Sequence, residues 1–197
     1  MCGIAGGIGP SAPSVQSLEA QLTKLEHRGP DDRGTYVNQS IALGMCRLAI
    51  VEIAAGKQPF ESADGKIKIV FNGEIYNYRE LREKLVSLGH VFSGASESEV
   101  IIALYRQHGP DFPNHLIGMF AIALFDQAND ALVLVRDRVG KKPLWFSKCA
   151  DGSILFASEV KALLAGLPTR TLRKGAVAEV MQFGYVNSPN SAFFTAM

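Results

Sequence analysis

Apolar positions in this chain recur with a helical spacing of three and four in only a few places, and elsewhere they alternate or gather in short runs. From Ser14, the residues Val15, Leu18, Leu22 and Leu25 share one face, which predicts a helix that must stop before Gly29-Pro30. Asn77 is placed to cap a second helix with Leu81, Leu85 and Leu88 as its stripe and Gly89 as its stop. Ser96 opens a third, where Glu99 would complete a capping box and Val100, Ile101 and Leu104 form the apolar face before Gly109-Pro110. Strands are expected at residues 4–8, 41–46, 66–71, 117–125, 131–136, 144–147 and 154–157, separated by Asp, Asn and Gly turns. The glycines in 4–8 would let another backbone or a ligand come close. Near-continuous apolar character in 117–125 implies a sheet covered on both faces. Stacked sheets with helices outside, an α+β arrangement, is the economical solution.

Length and composition narrow the partners. A chain of 197 residues suits one domain with a sizeable core. Apolar content of 47%, charged content of 20% and a net charge of +1 offer no field for nucleic acid or an anionic membrane. The cysteines at 2, 46 and 149 form no C-x-x-C pair and are odd in number, which argues against a disulfide framework and against a zinc site. No run reaches the ~20 apolar residues of a membrane span, and the N-terminus does not read as a signal peptide, so the expected location is cytoplasmic. From Gly184 onward there is no stripe to bury and no evident turn back to the body. Residues 1–183 therefore read as the domain and 184–197 as a connector.

Three stretches can carry chemistry. If Met1 is removed, Cys2 holds a thiol and a free α-amine on one residue; these titrate near ~8.5 and ~7.7–8.0, close enough to exchange a proton at neutral pH. Cys2 can equally be a small buried residue at the start of a strand. Asn72-Gly73, at the expected end of a strand, offers a side-chain amide beside an unhindered backbone N–H, the composition of an oxyanion hole or of a tight turn. Arg47 closes an apolar strand and would serve as a carboxylate fork or as half of an internal ion pair. His27-Arg28-Gly29-Pro30-Asp31 is a polar loop with no decisive reading by itself.

Together these stretches resemble the class II glutamine amidotransferases, specifically the glutaminase domain of asparagine synthetases. The matching signatures are Met1-Cys2-Gly3-Ile4, His27 to Asp31, Arg47-Leu48, Gln58-Pro59, Phe71-Asn72-Gly73-Glu74-Ile75-Tyr76-Asn77, Arg136-Asp137-Arg138 with Gly140 and Lys142-Pro143-Leu144, and Phe156-Ala157-Ser158-Glu159. The resemblance implies a four-layer αββα sandwich of the N-terminal-nucleophile hydrolase type, with two antiparallel sheets between helical layers. It implies Cys2 as nucleophile, with its own amine as proton shuttle, and Asn72 with the Gly73 backbone as oxyanion hole. Arg47 would hold the α-carboxylate of L-glutamine, the backbone of Leu48, Ala49, Ile50 and Val51 would line the pocket, and Glu74 would help receive the α-amine.

Two positions depart from the family pattern, the first being Gly44-Met45, where the family usually has Gly-His before the pocket arginine. Where the family has Ser-Asp-Ser/Thr-Glu, this chain has Ser96-Glu97-Ser98-Glu99, so Glu97 keeps the charge for the substrate amine but adds a methylene. An extra methylene in a tight site matters at roughly 1–3 kcal/mol. The resemblance places no metal or cofactor in this domain. It assigns ATP and magnesium to a synthetase domain, joined in cis or in trans, whose pyrophosphate loop this sequence lacks; a homodimer is also compatible. The competing reading is a glutamine-binding or partner-binding module without turnover, and the ammonia acceptor is left open.

Overall fold

Simple alternation along each strand sorts its side chains into separate layers. The computed structural model describes residues 1–10, 14–48, 57–167, 170–187 and 194–195. Its elements run β1 (Gly3–Ile8), α1 (Val15–Thr23), β2 (Asp32–Val37), β3 (Ile41–Arg47), β4 (Phe60–Glu61), β5 (Ile67–Ile75), α2 (Tyr78–Ser87), α3 (Glu97–His108), β6 (Gly118–Asp126), β7 (Ala131–Arg136), β8 (Trp145–Lys148), β9 (Ile154–Ala157), α4 (Val160–Gly166), β10 (Thr171–Leu172), α5 (Lys174–Phe183) and β11 (Phe194–Thr195). One sheet has the order β2-β3-β1-β9-β8 and the other β4-β5-β6-β7, with β10 and β11 forming a separate small ladder. All the strand pairs are antiparallel.

Three apolar layers result, and they confirm the four-layer architecture. Ala5, Ala42 and Leu155 pack outward with Leu18, Leu22 and Leu163 of α1 and α4. Ile69, Ile122 and Leu124 face the opposite way, towards Leu85, Ile101 and Leu104 of α2 and α3. Between the sheets lie Ile4, Ile41, Leu43, Val70, Phe125 and Phe156. The continuous run in β6 is split by this alternation: Phe120, Ile122 and Leu124 go to the helical layer, and Ala121, Ala123 and Phe125 go to the inter-sheet layer. Glycine matters in β1, where a Cβ on Gly6 would stand 2.1 Å from Ala42 O and 2.8 Å from the Phe156 ring.

Several expectations need correction. The strand carrying Asn72-Gly73 does not end there; β5 runs on to Ile75, pairing Asn72 with Ala121 and Gly73 with Phe120. Val15 and Leu88 are each 59% exposed, so both stripes are narrower than their spacing suggested. Asn77 sits at the N-cap of α2 but makes no capping bond there. Its side chain accepts from Ile117 N and donates to His115 O, tying the end of β5 to the start of β6. The capping box at α3 is half made: Ser96 Oγ accepts from Glu99 N, while the Glu99 carboxylate takes Ser93 and Gly94. The tail does turn back, as Phe194–Thr195 pair with Thr171–Leu172. Strand β2 and helices α4 and α5 were not expected; β2 is largely exposed, and α4 and α5 bury few residues, so their patterns are weak.

Candidate active site

The N-terminal stretch around Cys2 is clamped by backbone and side-chain bonds from distant sequence. Ile4 N donates to Ser158 Oγ at 2.9 Å, and Ile4 O accepts from Ser158 N at 2.8 Å. Arg28 Nε donates to the Cys2 carbonyl at 3.0 Å, and Arg28 Nη1 donates to Glu159 Oε1 at 2.9 Å. Glu159 is also met by His27 at 2.9 Å and Lys161 at 3.1 Å. Burial alone would raise the Glu159 carboxyl, but the bonds from Arg28, Lys161 and His27 outweigh it and hold the group at about 2. The polar loop 27–31 thus has a definite role, which is to fix the position of residue 2 through an anion that stays charged at neutral pH.

Cys2 is a free, half-buried thiol whose Sγ lies 3.9 Å from Leu48 O. It shares an open cleft of about 560 Å³ with Arg47, Leu48, Asn72, Gly73, Glu74 and Glu97. Such a volume falls within the roughly 300–1,000 Å³ typical of small-molecule sites. The sheets bring these residues together. On the inter-sheet face of β3, Ile41, Leu43 and Met45 are apolar and the next residue in that alternation is Arg47, 8% exposed. On β5, the same face carries Val70 and then Asn72, 2% exposed.

Asn72 Nδ2 is buried and has no hydrogen-bond partner among the described residues. An unmet buried donor costs about 1–3 kcal/mol, so its persistence beside a cleft marks a place for an acceptor. Gly73 next to it has φ 154°, and a Cβ there would stand 2.1 Å from Met119 O. No other residue fits that strand pair without displacing backbone. Gln58 steadies the same stretch: its amide accepts from Phe71 N at 2.6 Å and donates to Phe71 O at 3.2 Å.

Of the other anticipated residues, Glu74 is exposed at the cleft rim and Glu97 begins α3. Glu97 Oε1 accepts from Ile75 N at 2.9 Å, so part of its capacity goes to joining α3 to β5. Ala49, Ile50 and Val51 lie outside the described residues. Residue-by-residue reading gave no site role to Gln58, Arg28, Glu159 or Lys142, although all belong to the quoted signatures; their spacing in sequence carries no hint of convergence. Lys142 is 7% exposed and also lines the cleft. Among the described residues, no group of three His, Cys, Asp or Glu could hold a metal ion.

A clamped Cys2 in one cleft with Asn72 and Gly73, on a sandwich of two antiparallel sheets, has the layout of a class II glutamine amidotransferase domain. A family model described as a glutamine amidotransferase domain matches residues 1–197, and the chain belongs to that family. Glutamine-hydrolyzing asparagine synthetase 2 of Bacillus subtilis (strain 168) is 39% identical over 170 residues, covering 84% of this chain and 22% of that protein. Asparagine synthetase 3 of Arabidopsis thaliana is 42% identical over 166 residues, covering 83% of this chain and 28% of that protein. The chain thus spans between a fifth and a third of the length of these relatives. Among solved structures, the allosteric regulatory enzyme of purine biosynthesis superimposes with a TM-score of 0.67 at 23% identity, covering 84% of this chain and 43% of that one. That likeness supports the fold alone.

Proposed function

We propose that this domain hydrolyses the side-chain amide of L-glutamine, with Cys2 as nucleophile once Met1 has been removed. The observation that carries the reading is the buried Asn72 Nδ2, without a hydrogen-bond partner among the described residues, in the same cleft as Cys2 and Arg47. The thiol passes its proton to the α-amine of residue 2, and sulfur attacks the amide carbon. Asn72 Nδ2 and the Gly73 N–H receive the oxyanion. Ammonia leaves with the proton returned by the amine, and water then cleaves the thioester to glutamate, regenerating the thiol. Arg47 pairs with the substrate α-carboxylate, and Glu74 and Glu97 meet its α-amine.

The half-reaction as written needs no metal or cofactor. The names of the relatives support a role as the glutaminase part of an asparagine-synthetase-like protein. ATP and magnesium then belong to a separate synthetase portion, which takes the ammonia, and residues 184–197 serve as the connector towards it. A cytoplasmic setting suits a free N-terminal thiol. The test is glutamate and ammonia release from purified chain whose intact mass shows Met1 removed. Cys2→Ala should abolish release, and undiminished release would end the assignment. The second reading, binding without turnover, draws on Glu97, whose Oε1 is already used by Ile75 N; it predicts glutamine binding with no glutamate formed.

A further inference from the structure

Lys142 is a buried cation to which the chemistry above gives no role. Its backbone is fixed by Asp137, whose carboxylate accepts from Lys141 N at 2.8 Å, Lys142 N at 2.9 Å and Phe120 N at 3.2 Å. Burial would raise the Asp137 carboxyl, but the N–H groups of Lys142, Lys141 and Phe120 prevail and keep it below its ordinary value. Among the described residues, the one hydrogen bond of Lys142 Nζ goes to Met1 Sδ at 3.6 Å. A thioether is a weak acceptor and a poor partner for an ammonium. The partner is moreover the residue that processing would remove. Five covalent bonds separate Met1 Sδ from the Cys2 nitrogen, so Nζ lies within roughly 10 Å of that atom. That upper bound is about one Debye length at ~0.1 M ionic strength, and a buried or half-buried pair is screened less than an exposed one.

We infer that Lys142 is a positioning residue for charge: it biases residue 2 towards the singly deprotonated state that attacks glutamine. The inference rests on the glutaminase reading. Before attack, the thiol and amine together must carry one proton fewer than the fully protonated pair. A neighbouring cation favours that loss whichever atom gives up the proton. The other charged groups of the cleft are placed differently. Arg28, at the Cys2 carbonyl, is met by Glu159. Arg47 on β3, Arg79 on α2, Glu74 on β5 and Glu97 on α3 also line the cleft, but the contact with Met1 belongs to Lys142. Asp137, the nearest acid in sequence, spends both oxygens on backbone N–H groups.

The test is the pH profile of kcat/KM for glutamate release from the full chain with Met1 removed, in wild type, Lys142→Met and Lys142→Arg. Lys142→Met should move the acid limb to higher pH, with a loss of roughly tenfold at pH ~6.5 shrinking to under about twofold at pH ~9. KM should be little changed, and Lys142→Arg should restore the limb. A loss equal at all pH values, or no loss, overturns the inference. If Lys142→Met does not fold, Lys142→Gln carries the same expectation. The pH dependence of Cys2 alkylation by iodoacetamide, read by mass, should shift in the same sense without any turnover. If wild type releases no glutamate, the glutaminase reading fails, and alkylation still decides whether Lys142 acts on residue 2.

Discussion

The inter-sheet face of β5 carries buried polar side chains at two points with opposite fates. At Lys68, Nζ pairs with Glu61, donates to Gly65 O at 3.2 Å and stands 5.0 Å from the centre of the Tyr36 ring. Four residues along, about 13 Å away, Asn72 Nδ2 has no partner among the described residues. Val70 separates them in a dry layer with Phe125 and Phe156. Saturated polar groups close a structure, whereas a buried donor left open at a cleft waits for something to arrive. The distinction depends on where the open donor lies. Both amide atoms of Gln21 are also buried without a partner among the described residues, but they lie against Gly166 between α1 and α4, away from the cleft.

The contrast can be broken most forcefully at Asn72. Asn72→Ala should lower kcat for glutamate release by about 10²–10³, with a much smaller change in KM. A change confined to KM would mean that Asn72 binds glutamine without stabilising its oxyanion. The clamp on residue 2 comes next. Because the folded-state value for Glu159 is depressed from 4.5 to about 2, its contribution to stability is present above pH ~4.5 and lost as pH falls towards 2. Thermal melting of Glu159→Gln should therefore depend less steeply on pH between 4.5 and 2 than that of wild type, and identical slopes would remove the clamp. At the saturated end, Glu61→Gln should cost about 1 kcal/mol, most of the Coulomb attraction being screened because Glu61 is 55% exposed. Urea unfolding should show that loss with glutamate release unaltered. Smallest of all, Gln21→Met should raise stability by about 1 kcal/mol, since an unmet amide is replaced by a side chain of similar volume. A destabilised Gln21→Met would show that Gln21 is satisfied by water.

Much of this arrangement was legible before any coordinates. Strands β7 and β9 were read with their observed limits, because each is a short apolar run bounded on both sides by turn residues. Helix α3 was equally plain, with Ser96 as a true cap. Where the pattern misled, a tertiary contact had intervened. Asn72-Gly73 looked like a strand end because Asn-Gly favours turns, yet pairing with Ala121 and Phe120 keeps the chain extended to Ile75. Glu99 gave up half of its capping box to Ser93 and Gly94.

The amino-acid sequence by itself determined the layers, since apolar periodicity dictates which faces must leave water. It also named the residues able to do chemistry, since a thiol, an amide beside glycine and a buried guanidinium are properties of residue type. Only the tertiary structure decided which of them meet. Cys2, Arg28, Arg47, Asn72, Lys142 and Glu159 are scattered over more than 150 positions, and no local preference encodes a contact between them. Cys2, Arg47, Asn72 and Lys142 share one opening because two sheets, pressed together by the apolar layer at their centre, bring together the start of β1, the end of β3 and the later part of β5, while Arg28 and Glu159 hold Cys2 through its carbonyl.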